Sequence, residues 1–470
     1  MSSIKRWTLI VVCAATAMLM LDIAVVNTAL SRIASDLRAD LGGLQWVVDA
    51  YTLALATVVL TAGSLADRFG RRRLFAVGIS VFTLASIVCA ASGSIEMLVA
   101  ARAVQGIGAA IMFAVSLAVL ANAFPGTSER AKALAFYGAT IGGAFAVGPL
   151  LGGALTSGLD WQWIFIVNVP IGAFCLWGIA RFVEESRDPR APKVDRLGQA
   201  LLAPGLFLLV LGLLRGNDAG WSSTAIVAEL AGGIALLVAF VVVESRVAEP
   251  MLPLRFFRNG AFTGAQIASF AISASLFAAY LYATLYLQQV LGLSAIEAGL
   301  VYIPGTVVNF AFAGASATMI ERGLAPKTMV SAGLAMAGVG MGLMTMATVD
   351  SSWVILLPGL LLAMAGTGML NPAVIAIALG SVPEEQSGLA AGIMDTSRQA
   401  GIALGVAALG AMIPASAGLG DADPGAFVGG LHTALWAGGG LAVAGAVATA
   451  WLFRGARTGV VGAALATESA

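Results

Sequence analysis

The sequence predicts an all-α integral membrane protein with fourteen transmembrane helices, and three observations support that prediction. Of its 470 residues, 59% are hydrophobic and only 11% are charged. Such a chain has too little polar surface to cover an aqueous exterior, so lipid must be the solvent for most of it. The other two observations are a series of apolar runs long enough to cross a bilayer and an alternation of basic residues between the loops.

Each apolar run is about 20 residues long, the length that a helix needs to cross the hydrocarbon, and ends at charges or at Pro/Gly clusters. The connections are short, so we expect no soluble domain between the spans. The predicted spans are 7–29, 44–65, 74–92, 97–123, 132–156, 162–182, 197–214, 223–243, 261–287, 297–319, 328–348, 354–380, 388–412 and 429–453.

Two polar stretches, Glu184–Arg196 and Glu244–Asn259, bracket the seventh and eighth spans. The predicted layout is therefore six helices, two helices and six helices. We expect a first six-helix bundle over 1–183, an inserted helix pair with its linkers over 184–258, and a second six-helix bundle over 259–454. The small, polar residues 455–470 are typical of a disordered cytoplasmic tail.

The basic residues predict the orientation. With the N-terminus inside, 20 of the 25 Lys and Arg residues fall in loops on the inner side. Lys and Arg near span ends stay on the cytoplasmic side, so both termini are expected in the cytoplasm. We interpret the first run as a retained helix and not a cleaved signal peptide, because it continues unbroken through Leu21. The high Ala and Gly content suggests a bacterium and hence its cytoplasmic membrane.

Composition also excludes several classes of protein. The net charge of zero gives no argument for nucleic acid as a partner, and Cys13, Cys89 and Cys175 share no metal-ligand spacing. No GxxxxGK[ST] loop is present, so ATP is not the direct source of energy. We expect no cofactor or metal, an ion gradient as the energy source, and the lipid bilayer, protons and a small molecule as partners. No obligate protein partner is evident.

Two charges at membrane depth are the first candidate functional residues. Asp22 lies inside the first span, in LDIAVVNTAL, with Asn27 little more than one turn further on. Desolvation favours the neutral form of a carboxyl group, so Asp22 is a candidate to bind and release protons. Arg102 lies early in the fourth span, in ARAVQG, and a buried guanidinium needs an acidic or carbonyl partner. The two residues are placed to approach each other, either as a coupling device or as a static ion pair.

Further charges occur in the second and thirteenth spans. Asp49, in WVVDAYTL with Tyr51, is expected to be a partly hydrated carboxylate in an outer vestibule that attracts cations. Asp395 and Arg398 are three residues apart and share one helical face. They are interpreted either as an intrahelical salt bridge or as residues that handle substrate or protons. Glu229, in the inserted pair, is expected to be structural.

The most specific string follows the second span and reads GSLADRFGRRR, from Gly63 to Arg73. A small residue lets two helices approach closely, the acid can face a helix N-terminus, and the arginines fix the topology. A plain positive-inside loop would need only the arginines, so the ordered glycine and acid positions indicate a cytoplasmic gate. The expected gate residues are Gly63, Asp67, Arg68, Gly70, Arg71 and Arg72.

The fifth span contains GATIGGAFAVGPLLGGAL. Gly148, Gly152 and Gly153 give this helix a flat face, and Pro149 removes one backbone hydrogen bond and permits a kink. Helix packing alone accounts for glycines, whereas the Gly-Pro-x-x-Gly-Gly order is more specific.

These strings together resemble the major facilitator superfamily, and within it the fourteen-helix drug:proton antiporter family. The Gly63–Arg73 loop resembles the superfamily's signature loop, the Gly148–Gly153 string resembles its exporter motif, and ARAVQG resembles its fourth-helix motif, which is associated with proton transfer. LDIAVVNTAL and WQWIFIVNVPIG resemble strings of the fourteen-helix branch, and MIERGLAPK looks like an eroded copy of the signature loop. The resemblance implies two pseudo-symmetric six-helix bundles with a pathway between them.

The function expected from the sequence is proton-coupled export of amphipathic, cationic or neutral drugs and toxic compounds by alternating access. Aromatic side chains are candidates for a promiscuous pocket, namely Phe113, Phe136, Tyr137, Tyr280, Tyr286, Tyr302 and Phe310. The expected substrate-binding residues are Asn27, Asp49, Tyr51, Phe113, Tyr137, Tyr286, Asp395 and Arg398. A dedicated exporter of one endogenous metabolite, such as an antibiotic or a siderophore, is the alternative. A membrane enzyme is disfavoured because the one histidine, His432, lies near an outer helix end and no nucleophile–base constellation is present, and a channel would not need the gate loop.

Overall fold

The structure is a computed structural model that describes residues 3–124, 127–187, 194–383, 386–414 and 423–454. These residues form helices joined by short connections, and no β-strand occurs among them. We number fourteen long helical segments α1 to α14. They are α1 Ser3–Leu37, α2 Leu41–Phe69, α3 Arg71–Ala90, α4 Ile95–Ala123, α5 Thr127–Gly158, α6 Trp163–Phe182, α7 Arg196–Ala219, α8 Thr224–Glu244, α9 Gly260–Val290, α10 Ala295–Val301 continued by Ile303–Glu321, α11 Pro326–Met344, α12 Trp353–Gly380, α13 Ser387–Gly410 and α14 Pro424–Arg454.

The predicted all-helical membrane fold is confirmed. Thirteen of these segments within the described residues are long and apolar enough to cross a bilayer. The remaining one, α13, is 24 residues long and carries Asp395 and Arg398 in its middle. It packs between α2 and α9 in the centre of the molecule, where polar residues are sheltered from lipid by protein. We therefore count α13 as the fourteenth membrane helix.

Helices α1 to α6 pack together as an N-terminal bundle, and α9 to α14 pack together as a C-terminal bundle. Because the helices alternate in direction, every connection lies at one of two ends. We call the end that carries residues 63–73 the arginine-loop end, and residues 63–73 the arginine loop. We call the opposite end, where α1 ends and α2 begins, the far end.

Helices α7 and α8 form a hairpin beside the two bundles. Helix α7 contacts both α2 and α13, whereas α8 packs mainly on α7 and presents an apolar face outwards. At the arginine-loop end, the hydroxyl of Thr61 donates to Gln199 over 2.7 Å. At the far end, the amide of Asn217 donates to the carbonyls of Ala411 and Ile413 over 2.9 and 3.1 Å. Helix α7 therefore bridges the N-terminal and C-terminal bundles on one side of the molecule.

Several helices extend beyond the predicted spans. Helix α1 runs to Leu37 and not to residue 29, because the polar residues after residue 29 continue the helix past the apolar run. Tryptophans near span ends commonly anchor a helix at the membrane interface, but Trp161 in the WQWIFIVNVPIG string does not. Its side chain is fully buried in the N-terminal bundle, where Nε1 donates to Asp36 over 3.1 Å, whereas Trp163 is 42% exposed. The predicted tail at 455–470 lies outside the described residues.

The two bundles are in close contact at the far end. The amide of Gln288 on α9 donates to the carbonyl of Thr28 on α1 over 3.0 Å. The backbone N–H of Ile296 on α10 donates to the hydroxyl of Ser157 on α5 over 3.3 Å. Small residues let the backbones approach here, because a Cβ on Gly153 would lie 2.6 Å from the carbonyl oxygen of Ala295. The far end is therefore closed between the bundles.

Candidate functional site

The predicted approach of Asp22 and Arg102 is confirmed. Nη1 of Arg102 donates to Oδ2 of Asp22 over 2.5 Å, and the two side chains are 2% and 0% exposed. A buried guanidinium and a buried carboxylate each carry a large desolvation cost, which only close pairing offsets. Each partner is therefore held in place by the charge of the other.

Polar side chains from three more positions surround this ion pair. Gln105 and Asn168 both donate to Oδ1 of Asp22, over 2.8 and 3.0 Å, and both donate to the hydroxyl of Ser86, over 2.9 and 3.3 Å. Arg102 also donates to the side-chain oxygen of Gln105 over 2.7 Å. Asp22 thus accepts three side-chain hydrogen bonds, two from α4 and one from α6.

Arg102 also connects the network to α2. Its Nε donates to the carbonyl of Val47 over 3.2 Å, and its guanidinium lies 4.2 Å from the centre of the Tyr51 ring. Such a cation–π contact is stronger when both groups are removed from water. A change in the charge of Asp22 would therefore alter the contacts that Arg102 makes with α2.

A small cavity lies between the bundles next to this network. Its volume is about 50 Å³, room for one or two water molecules, whereas a drug-sized ligand needs several hundred Å³. A substrate of that size can enter only if the bundles separate. The wall contains residues of α1, α2, α4, α9 and α13, among them Asn27, Tyr51, Arg102, Tyr280, Arg398 and Gln399.

The structure places only some of the predicted substrate-binding residues on this wall, and Asn27, Tyr51 and Arg398 are among them. Tyr286 is fully buried inside the C-terminal bundle, where its hydroxyl donates to the carbonyl of Thr348 over 2.7 Å. Tyr137 is buried in the N-terminal bundle, and Phe113 packs against the same core.

Asp395 and Arg398 form the predicted intrahelical pair. Nε of Arg398 lies 4.0 Å from Oδ1 of Asp395. The carboxylate is 4% exposed and the guanidinium is 31% exposed, so the arginine is the member of the pair that reaches the cavity. Glu229 likewise pairs with Arg215 inside the α7–α8 hairpin.

The prediction for Asp49 is wrong in one respect. The side chain is fully buried, with 0% exposure, and does not lie in a hydrated vestibule. The closed far end is the physical reason, because α13 covers this part of α2 and Tyr282 of α9 is hydrogen-bonded to Gln45 one turn away. Within the described residues, neither carboxylate oxygen has a hydrogen-bond partner.

The arginine loop is held by contacts within the N-terminal bundle. Asp67 accepts from Arg71, four residues on, over 2.8 Å, and the Arg72 guanidinium donates to the carbonyl of Ala180 over 2.9 Å. Gly70 ends α2 with a φ of +114°, a conformation that other residues rarely adopt, which explains the glycine at this position. Asp67 was expected to face a helix N-terminus across the arginine-loop end; in this arrangement it pairs with Arg71.

The glycine face of α5 packs closely against α1, as the small residues of this face predict. A Cβ on Gly148 would collide with Ala24 of α1, and one on Gly152 would lie 2.8 Å from the backbone of Val25. The opposite side of the same helix turn contacts the C-terminal bundle, since a Cβ on Gly299 of α10 would lie 2.6 Å from the carbonyl oxygen of Pro149. The glycines of α5 thus form both its contact with α1 and part of the far-end closure.

Two features of the site were not predicted from the sequence. Asn168 on α6 donates a hydrogen bond to Asp22. The sequence feature that could have identified it is an amide side chain inside an apolar span. The second feature is a π-helical segment in α9, Ser273–Phe277, which is followed by the cavity residues Tyr280 and Leu281. π-helical turns are frequent at functional sites, but no sequence pattern marked this one.

Two helical bundles that meet at a central cavity, with a buried ion pair beside it, define a membrane carrier. Residues 12–406 match the family model of the Major Facilitator Superfamily. The chain is 36% identical to the puromycin resistance protein pur8 of Streptomyces alboniger, over 86% of this chain and 81% of that protein. It is 35% identical to the multidrug resistance protein Stp of Mycobacterium tuberculosis, strain CDC 1551 / Oshkosh, over 85% of this chain and 74% of that protein.

Among solved structures, the chain is similar to a peptide transporter POT in complex with sulfate. The TM-score is 0.67 at 17% identity, with 95% of each chain covered, which supports the fold alone. The chain belongs to the Major Facilitator Superfamily, and it is a multi-pass membrane transporter and not an enzyme.

Proposed function

We propose that this protein exports amphipathic, cationic or neutral drugs in exchange for protons, by alternating access across a bacterial cytoplasmic membrane. The observation that carries the proposal is the buried Asp22–Arg102 pair next to the central cavity, in a chain related to resistance proteins. The proposed orientation has the arginine-loop end and both termini in the cytoplasm, in keeping with the excess of basic residues at that end. No cofactor takes part beyond the proton gradient.

The proposed coupling uses the charge of Asp22. When Asp22 binds a proton, the Arg102 guanidinium loses its counter-charge and must find other partners, which costs about 3–5 kcal/mol if none is available. Arg102 is hydrogen-bonded to the carbonyl of Val47 and stacked on Tyr51, so this change acts on α2. Because α2 also contacts α13 across the bundle interface, protonation of Asp22 changes the relative stability of the arrangements that the two bundles adopt.

The test uses purified protein in liposomes with an imposed pH gradient. Transport of the lipophilic cation ethidium and of puromycin is followed together with proton release, for the wild type and for Asp22→Asn. Asp160→Asn is the matched control, because Asp160 is an exposed acid at the far end. We expect coupled transport in the wild type and in the control, and none in Asp22→Asn.

The two substrates separate the two exporter functions. Coupled movement of both compounds supports a multidrug exporter. Coupled movement of puromycin alone favours a dedicated exporter, the alternative that the single-antibiotic name of the Streptomyces relative suggests. Substrate transport without any proton movement would refute antiport, and full coupling in Asp22→Asn would refute the role of Asp22.

A further inference from the structure

Asp49 lies on α2 at the place where the two bundles meet. It is one helical turn from Gln45, whose amide donates to the hydroxyl of Tyr282 on α9 over 2.9 Å. That hydroxyl in turn donates to the carbonyl of Val406 on α13. A Cβ on Gly410 of α13 would collide with the Gln45 amide, so α13 is also tightly packed on α2 at this level. Asp49 is thus enclosed by three helices from both bundles.

The surroundings of Asp49 differ from those of Asp22. Asp22 accepts three side-chain hydrogen bonds, one of them from a guanidinium, whereas within the described residues neither oxygen of Asp49 has a hydrogen-bond partner. Both side chains are 0% exposed. An ionised carboxylate without a partner costs several kcal/mol in such a place, more than a neutral carboxyl group does, so the surroundings favour a protonated Asp49 in this arrangement.

Among the residues that the structure describes, the arginines of the helices around Asp49 are already paired and do not balance a negative charge there. On α4, Arg102 is paired with Asp22, and on α13, Arg398 is paired with Asp395. On α9, the group that faces Asp49 is the hydroxyl of Tyr282, which already donates to Val406.

Closure of the far end is what buries Asp49. Separation of α2 from α9 and α13 would break the Gln45–Tyr282 hydrogen bond and admit water to the carboxyl group. A carboxyl group in contact with water is ionised at neutral pH. Closure and proton binding at this residue are therefore linked, because each favours the other.

We infer that Asp49 is a second proton-binding site, filled from the far end, whose proton is required for the far end to close between α2, α9 and α13. The inference rests on the proposed function, since it assigns the exporter a second coupling residue besides Asp22. In the transport cycle, the empty carrier closes its outer side only after Asp49 has taken a proton from outside. Each export event then requires a proton at a residue that does not line the central cavity.

The inference is tested by measuring how far the far end opens as a function of pH. Spin labels on Gly93→Cys in the α3–α4 connection and Asp350→Cys in the α11–α12 connection report the separation of the bundles by double electron–electron resonance in lipid nanodiscs. Both positions are exposed. Cys13 is replaced by alanine, while Cys89 and Cys175 are buried and remain.

The expected wild-type result is a ratio of closed to open molecules that rises as the pH falls, by at most about tenfold per pH unit for one linked proton. Asp49→Asn, which is neutral at every pH, should be more closed than the wild type and lose the part of this dependence that is due to Asp49. Asp160→Asn should behave like the wild type. If Asp49→Asn does not fold, the smaller neutral variant Asp49→Ser has the same expected result.

Undiminished pH dependence in a folded Asp49 variant would overturn the inference, as would a wild-type distance that does not respond to pH. Both results are independent of the liposome experiment. If the wild type exchanges drug for protons but Asp49→Asn retains the pH response, the exporter stands and the second site fails. If the pH response is lost in Asp49→Asn but the wild type moves no drug against protons, the site stands and the proposed function fails.

Discussion

Gly153 on α5 provides the sharpest test of how the far end is closed. In Gly153→Ala, the new Cβ would lie 2.6 Å from the carbonyl oxygen of Ala295 and 2.7 Å from Cα of Ile296, whereas ordinary van der Waals contact begins at 3.4 Å. Helices α5 and α10 must therefore separate by about 0.8 Å, the difference between 2.6 and 3.4 Å. The hydrogen bond from Ile296 to Ser157, already 3.3 Å long, would be lengthened beyond a useful distance.

The energetic cost falls on the closed arrangement alone. Overpacking by one methyl group costs about 1–3 kcal/mol where neighbours are backbone atoms that cannot move aside. Since about 1.4 kcal/mol corresponds to a tenfold change in an equilibrium, the ratio of closed to open molecules should fall roughly 5- to 150-fold.

Gly143→Ala on the same helix is the matched control. It makes the same chemical change, but a Cβ at Gly143 meets nothing within 4 Å. The spin-label distance between positions 93 and 350 is measured in both variants, at a pH where the wild type is mostly closed. We expect a larger distance in Gly153→Ala and no change in Gly143→Ala. Equal distances in Gly153→Ala and the wild type would show that this contact does not hold the far end closed.

Two further substitutions separate the coupling network from the structural core. Asn168→Leu removes one hydrogen bond to Asp22 and should lower the free energy of unfolding by about 1–3 kcal/mol. It should also slow proton-coupled transport. Unchanged proton coupling in liposomes would contradict this prediction. Tyr286→Phe removes the hydrogen bond to the carbonyl of Thr348 and should lower the free energy of unfolding by about 0.5–1.5 kcal/mol. The rate of transport should stay near that of the wild type. A large loss of transport would place Tyr286 in the substrate pathway.

Much of the fold could be predicted because the bilayer determines the length of the apolar runs and the side on which basic loops lie. The position of Asp22 opposite Arg102 followed from the cost of an unpaired buried charge, and the structure confirms their contact. The glycine face of α5 could be predicted because close helix approach demands small residues.

The burial of Asp49 and the place of Tyr286 could not be predicted. Both depend on how helices from different parts of the chain meet, and a transmembrane helix has apolar residues on all sides, so its sequence does not reveal which side faces the pathway. For the same reason, the position of Asn168 beside Asp22 could not be predicted. The boundaries at 183, 258 and 454 remain predictions from the polar stretches.

The two ends of α7 are attached to different halves of the carrier. Gln199 is bonded to Thr61 of the N-terminal bundle, and Asn217 is bonded to the backbone after α13 in the C-terminal bundle. If the bundles rock against each other, α7 must tilt, because each of its ends is hydrogen-bonded to a different bundle. A compound wedged against α7 from the lipid side would then stall transport without competing for the central cavity.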